Sequence, residues 1–375
     1  MPQPTLCVIY EDVGDYNAIS KIAATAVQQA LKAQWRVTVV AQRLSPALQK
    51  DVEWLRLFKP RRLFLVQWLV ARTAIRAALK GRTFDVLHVY QPQVADLADL
   101  MHCQFLTRVA YERDCLESRP GFGPAIVRAQ QQGVLYAEDY YLRHWNPKTR
   151  LLFCSPLVRE EFHRLYGRPP LEGILSNACP PVHFTQAEER TRARKALLGH
   201  DYDGPVIGYL GGVNERKGYR PLIHAVEEES KTFLLMGGSY TAGFKVSALK
   251  GRFQSVGLVS DLRTFYAACD IMAVPSYFDP CPLVVFEAAA RGLPVIATDG
   301  VGNLPTLIEY GAGLRWGFDE PLGPLVQEMM ARREQFQAGA RRMAADLSEE
   351  RQGERLLQVY EEVLQEKKRR MSVNV

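Results

Sequence analysis

The residue types best suited to chemistry fall in one stretch, PSYFDPCPLVVFEAAARGLPVIAT, residues 275–298. An apolar run ends at Pro275, a loop carries Asp279, and a helical pattern begins at Leu283 with Glu287 one turn inside it. The first turn of a helix presents backbone N–H groups without intrahelical partners, carrying partial positive charge, and this suits phosphate. A carboxylate such as Glu287 can accept both hydroxyls of a ribose. Two more loops follow strand-like runs. GGVNERKG, 211–218, combines glycines, among them Gly212, with Arg216 and Lys217. Glycines let backbone amides approach an anion, arginine grips two phosphate oxygens at once, and lysine acts as a point charge. Each charge-assisted bond of this kind contributes roughly 1.5–3 kcal/mol. MGGSY, 236–240, is a further glycine turn. Taken singly, each of these two loops also reads as an ordinary turn.

The elements that must position these loops alternate between strand and helix. In the second half the apolar runs 206–210, 232–236, 271–275 and 294–298 read as strands, and 219–228, 261–268 and 283–291 as helices. Such alternation specifies a parallel α/β sheet, whose ligands lie beyond the carboxyl ends of the strands. The first half opens the same way. Strand 5–10 leads to a polar turn with Gly14, a helix over 19–33 and a strand over 37–41, with further strands at 84–90 and 150–154. Pro124 suits the start of a helix over 125–141. The pattern weakens from 178 to 204. The expected division is therefore a domain over 1–180, a second over 181–340, and a helical, basic C-terminal segment over 341–375 that packs back on the first.

Bulk properties narrow the classes. A chain of 375 residues, 47% hydrophobic and 23% charged, exceeds one ordinary core and excludes whole-chain disorder or a collagen-like repeat. The net charge of +6 is mild and fits anionic partners without demanding them. Seven cysteines with no C-x-x-C pair argue against a zinc cluster or a disulfide framework. No apolar run of bilayer length and no signal-peptide pattern are present, so the expected setting is cytoplasmic. Asp201-Tyr202-Asp203 has the D-x-D form of a metal site but precedes Gly204-Pro205, which reads as a turn.

These motifs together resemble retaining GT-B glycosyltransferases of family GT4, which include lipopolysaccharide-core glucosyltransferases. The resemblance rests on Asp279, seven residues, Glu287 and then Gly292-Leu293-Pro294-Val295, with GLVSDLRTFYAACDIMAVPS (257–276) before them and NERKGYRPLIHA (214–225) upstream. It is specific over about 205–315 and weaker in the first half, where 136–167 is similar to the family's closing helix, strand and helix. It implies two Rossmann-like domains facing a cleft, and transfer of a sugar with retention from a nucleotide-sugar, a UDP-sugar before others. The acceptor would be a glycan, a lipid-linked glycan or a small molecule in bacterial surface polysaccharide or lipopolysaccharide synthesis, and no metal or other cofactor would be required. Glu287 would hold the ribose, and Arg216 and Lys217 the pyrophosphate. Asp279 would touch the transferred sugar, and Leu283 would offer its amide to phosphate. Gly212 and Gly14 would lie on the donor. His102 would stand near the anomeric carbon, with His88 as its rival. Asp279 replaces the family's usual Glu and Pro282 its usual Gly, and Gly14 stands alone where paired glycines are usual. Other readings compatible with this fold are a nucleotide-sugar epimerase, a glycan phosphorylase and a degenerate sugar-binding relative.

One feature remains in the first half. Residues 54–83 contain no acid but eight bases, Arg56, Lys59, Arg61, Arg62, Arg72, Arg76, Lys80 and Arg82, interleaved with Leu63, Leu65, Val66, Trp68, Leu69 and Ile75. A basic amphipathic segment can lie on an anionic membrane, which would place the protein peripherally on the inner face of the cell membrane. The alternative is a helix with a solvated basic face. No nucleic-acid-binding module is recognisable, so no nucleic-acid partner is expected.

Overall fold

The computed structural model describes residues 3–57, 64–113, 124–200 and 202–373. Two compact units are present. The first contains Met1–Tyr111, Ser118–Ser176 and Glu350–Val375, and the second Glu112–Glu117 and Asn177–Glu349.

The first unit is built on a seven-stranded sheet of β1 (Thr5–Ile9), β3 (Arg36–Ala41), β5 (Glu53–Arg56), β6 (Val86–Val89), β7 (Leu100–Cys103), β8 (Arg150–Phe153) and β9 (Glu172–Ile174), ordered β5-β3-β1-β6-β7-β8-β9 and parallel throughout. Its central strands are near-continuous apolar runs because helices cover both faces of such a sheet. Between β1 and β3 runs α1 (Ala18–Lys32), which starts where the Asn17 side chain accepts the Ser20 N–H at 2.8 Å. A small ribbon of β2 (Asp12–Val13) and β4 (Arg43–Leu44) is clamped by Arg43, which donates to both Asp12 oxygens at 2.8 and 2.6 Å. The remaining helices of this unit are α2 (Phe64–Leu79), α3 (Thr107–Glu112), α4 (Pro124–Arg143) and α5 (Pro156–Tyr166).

The second unit has a six-stranded parallel sheet, ordered β12-β11-β10-β13-β14-β15. Its strands are β10 (Val206–Leu210), β11 (Phe233–Gly237), β12 (Phe253–Ser255), β13 (Ile271–Val274), β14 (Val295–Ala297) and β15 (Gly313–Arg315). Helices α6 (Ala187–Leu198), α7 (Tyr219–Glu227), α8 (Leu262–Ala268), α9 (Leu283–Ala290), α10 (Leu304–Tyr310), α11 (Leu322–Ala331) and α12 (Arg333–Asp346) complete it. The α/β class and the parallel sheets agree with the sequence reading. The five strands of the two main sheets that periodicity passes over, β5, β7, β9, β12 and β15, have three or four residues each, too few to show a period.

The last helix, α13 (Glu349–Val373), belongs to the first unit almost entirely. Its fully buried Tyr360 lies against Trp35, and its hydroxyl is 2.8 Å from His88 Nδ1 on β6. Farther along, Arg150 on β8 pairs with Glu362 and Glu366, and Lys367 reaches Asp99 at 2.8 Å. No helix among the described residues is long and apolar enough to cross a membrane.

Tyr360→Phe keeps the ring but strips His88 Nδ1 of its partner inside the core. The expected cost is about 1–3 kcal/mol, read as a lower urea midpoint; an unchanged midpoint would show that the contact contributes nothing to stability.

Candidate functional site

Three loops of the second unit leave the carboxyl ends of β10, β11 and β13 and interlock. The first, after β10, contains one 3₁₀ turn, Glu215–Lys217, opened by Asn214, whose side chain accepts the Arg216 N–H at 2.9 Å. Two glycines make the interlock possible. Gly212 has φ +75°, and a Cβ there would lie 2.6 Å from the Ser239 carbonyl oxygen of the second loop. Gly218 has φ +66°, and a Cβ would fall 1.8 Å from the Pro275 carbonyl oxygen of the third. No side chain fits at either point, and the left-handed conformation favours glycine independently.

Polar contacts then fasten the first loop to the third. The Tyr277 N–H donates to the Arg216 carbonyl at 2.9 Å, and Arg216 Nη1 donates to the Phe278 carbonyl at 2.8 Å. Lys217 forms an ion pair with Asp279, and Arg216 Nη1 is 4.0 Å from the other Asp279 oxygen. The backbone of Asp279 is fixed as well: its N–H donates to Gly300 at 2.8 Å and its carbonyl accepts from Gly302 at 2.9 Å. The Asp279 carboxylate therefore faces two cations. A hydroxyl ligand would have to share it with Lys217.

Helix α9 follows at once. Pro282 is its N-cap and no side chain caps the helix, so its first amides, Leu283 and Val284, carry no side-chain acceptor. Because Pro282 is the cap rather than a residue of the first turn, its missing N–H leaves the donors at Leu283 and Val284 in place. Val285, Phe286, Ala288, Ala289 and Ala290 are buried, whereas Leu283, Val284 and Glu287 are partly accessible. The accessible stripe of α9 thus joins the free amides to one carboxylate. Glu287 Oε2 accepts from the Tyr266 hydroxyl at 2.5 Å. Tyr266 is buried on α8, and burial beside the Glu287 charge holds its pKa well above the phenol value, so it remains a donor.

The sequence reading passed over several residues around the third loop. Besides Tyr266, Asn177 donates to the Cys281 carbonyl at 2.8 Å while its Oδ1 is buried without a partner. Ser276 Oγ and both polar atoms of the Asn303 side chain are also buried and unpartnered. Orphaned buried polar atoms are rare, and here three residues place them around one loop. Only the spacing of Asp279 and Glu287 had a linear signal; these partners come from α8, from the segment before α6 and from the N-cap of α10.

The candidates of the first unit are placed differently. His102 lies within β7 rather than after a strand, so its ring points into the packed interior, where it is 2% exposed. Its Nε2 is 3.1 Å from the Leu175 carbonyl oxygen and 2.9 Å from the Gln104 amide nitrogen, and burial lowers its pKa to about 4. His88 is equally enclosed. Gly14 is buried with φ +143°, and its hypothetical Cβ would lie 2.8 Å from Ser45 Cβ, a packing reason for glycine. Lys59, Arg61, Arg62 and Leu63 of the basic segment lie outside the described residues, as does Asp201 of the D-x-D. Of the segment's other bases, Arg72 and Arg76 pair with Asp96, and Arg82 pairs with Glu53. Among the described residues no group of three or more His, Cys, Asp or Glu side chains is arranged to hold a metal ion.

Comparison with known proteins places this site in a family context. Residues 204–327 match the family described as glycosyl transferases group 1. A D-inositol 3-phosphate glycosyltransferase of Xylanimonas cellulosilytica is 30% identical over 232 residues, 54% of this chain and 54% of that protein. The lipopolysaccharide core biosynthesis glycosyltransferase LpsE of Rhizobium meliloti is 30% identical over 126 residues, 32% of this chain and 37% of that protein. The chain thus spans about half, or less, of the curated relatives it matches. Among solved structures, a sucrose-phosphate synthase from Thermosynechococcus elongatus aligns with a TM-score of 0.73 at 19% identity, covering 96% of this chain and 99% of that one. Anabaena HepE, solved in complex with UDP-glucose, aligns with a TM-score of 0.67 at 14% identity, covering 96% and 99%. The chain resembles group 1 glycosyltransferases and shares the GT-B fold.

Lys217→Met leaves Asp279 largely enclosed without its closest counter-ion, and a loss of about 3–5 kcal/mol is expected. Adding Asp279→Asn should restore much of it, since no orphaned charge then remains. A double-mutant cycle in urea measures the coupling, and strictly additive effects would show that the pair is not energetically linked.

Proposed function

We propose that this protein transfers a hexose from a nucleoside diphosphate sugar, a UDP-sugar before others, to a glycan or lipid-linked acceptor in bacterial surface polysaccharide or lipopolysaccharide synthesis. One observation carries the proposal: the accessible stripe of α9 presents uncapped amides and the Tyr266-bound carboxylate of Glu287. The third loop that leads into this helix is fastened to Arg216 and Lys217. The relatives' names and the UDP-glucose held by HepE support the same reading.

In this mechanism the diphosphate lies over Arg216, Lys217 and the Leu283 and Val284 amides, and Glu287 accepts the ribose hydroxyls. As the bond from the anomeric carbon to the diphosphate breaks, negative charge grows on the leaving oxygen. The two cations and the amides, already in place, stabilise that charge where it develops. The sugar passes through an oxocarbenium-like transition state, and the acceptor hydroxyl attacks from the face the diphosphate leaves and passes its proton to the departing phosphate oxygen, which retains configuration. No metal is required, because arginine, lysine and a helix start supply the positive field. The enclosed His102 is given no part at the anomeric carbon. Asp279 acts first through Lys217, and its contact with the sugar is secondary.

The test is transfer from radiolabelled UDP-sugars to bacterial lipid and glycan acceptors. Glu287→Ala should lose transfer by about 100-fold or more. Tyr266→Phe should raise the donor KM about tenfold with little change in kcat, since it loosens a ground-state contact. Wild-type turnover in Glu287→Ala would reject the site.

The finer reading includes a membrane surface. A cavity of about 690 Å³ on the first unit is lined by Leu79, Lys80 and Leu97 and by Arg76 and Lys367, which pair with Asp96 and Asp99, and Lys368 and Arg369 directly after Lys367 are exposed. The protein should sediment with phosphatidylglycerol-containing vesicles but not with phosphatidylcholine alone, and release at about 0.5 M salt should follow from screening. Absence of sedimentation at low salt would remove the membrane from the account.

A further inference from the structure

A second concave surface borders the third loop at Tyr277, after the carboxyl ends of β13 and β15 and along α7. Its volume is about 620 Å³, within the roughly 300–1,000 Å³ of small-ligand sites. Two aromatic rings form its wall. Tyr277, two residues before Asp279, is 41% exposed, and Phe318 is 37% exposed. Their centroids are 4.6 Å apart at 42°. The two partly exposed rings beside one another offer a small, continuous apolar face.

The wall is rigid before any ligand arrives. Phe318 stands edge-on against the buried Trp316, with centroids 5.5 Å apart at 78°. Trp316 is itself tied by its indole N–H to the Glu320 carbonyl at 2.9 Å. Tyr277 is held through its backbone by Arg216. A ligand that stacks here therefore orders little of the protein.

The rim selects the ligand. Asp319, Glu320 and Glu228 line it together with Arg220, which is already paired with Glu215 at 2.8 Å, and Glu320 is paired with Arg315 at 2.9 Å. Excess carboxylate repels phosphates, nucleotides and uronic acids. Asp319 has neither hydrogen bond nor ion pair among the described residues, so its oxygens are available to accept from hydroxyls. Aromatic faces are electron-rich and attract the weakly positive C–H groups on the flatter side of a pyranose. Ring faces flanked by acceptors, without net positive charge, fit a neutral pyranose and exclude an anion.

We propose that this surface is a second carbohydrate site, which holds a neutral glycan chain through Tyr277, Phe318 and Asp319 and lies apart from the donor site. The proposal rests on the sugar-transfer reading for the expectation that glycans reach this unit. Tyr277 and Asp279 share one loop, so a glycan seated here contacts the loop that carries the Lys217 pair.

The experiment is saturation-transfer NMR on the full-length protein with maltohexaose, cellohexaose and mannohexaose, alongside an oligogalacturonate and a chitosan oligomer, with UDP as a separate probe. At least one neutral series should show saturation. That signal should weaken about tenfold in Phe318→Ala and in the gentler Asp319→Asn, both melting close to wild type. The oligogalacturonate should not bind. The inference is overturned if UDP binds and no neutral glycan does, if the variants bind glycan as wild type does, or if only the cationic chitosan binds. If a folded sample binds neither UDP nor any glycan, the donor-site reading falls and takes this inference with it.

Discussion

The second unit's candidate site depends on the contact between the loop after β10 and the loop after β13. Neither loop has regular structure that would fix it alone. They hold each other because Gly218 lets the Pro275 carbonyl approach, Arg216 bonds the Phe278 carbonyl, and Lys217 neutralises Asp279. The arrangement settles two problems at once. It keeps a largely enclosed carboxylate paired, and it places two cations beside a helix start that lacks a cap. For the function proposed, a surface made this way needs little reorganisation when charge develops, because its positive groups are already oriented.

The same contact explains how this chain accommodates an aspartate where its family resemblance anticipates a glutamate. The shorter side chain, with its backbone pinned by Gly300 and Gly302, reaches Lys217 and stays largely buried. Its first role is thus to position a cation. Pro282 is accommodated on a similar principle. As the N-cap of α9 it has an extended backbone, φ −63° and ψ 127°, and it leads directly into the uncapped first turn. Both departures change the detail of the third loop and keep its charge pattern.

The sequence carried the fold and the position of the loops, but little of their surroundings. Strand-helix alternation was legible because buried parallel strands are apolar runs bounded by turns, and β10 and α9 fall where those runs place them. Glu287 and the Arg216–Lys217 pair were legible because their spacing is local. Tyr266 was not: its partner lies 21 residues away on a different helix, and only the tertiary fold brings the two together. His102 shows the opposite limit. It lies within β7 rather than after a strand, and all four residues of β7 are buried because both faces of the sheet are covered, so the ring is enclosed whichever face it takes. The acid-free basic run was visible in the sequence, whereas Asp96 and Glu53, which neutralise part of it, are brought to it by folding.

The most direct measurement of this account is a crystal structure of the protein with UDP bound. The account predicts diphosphate oxygens on Arg216, Lys217 and the Leu283 amide, ribose hydroxyls on Glu287, and the Tyr266–Glu287 hydrogen bond intact. Density for the nucleotide away from α9, or a ribose with no contact to Glu287, would contradict it.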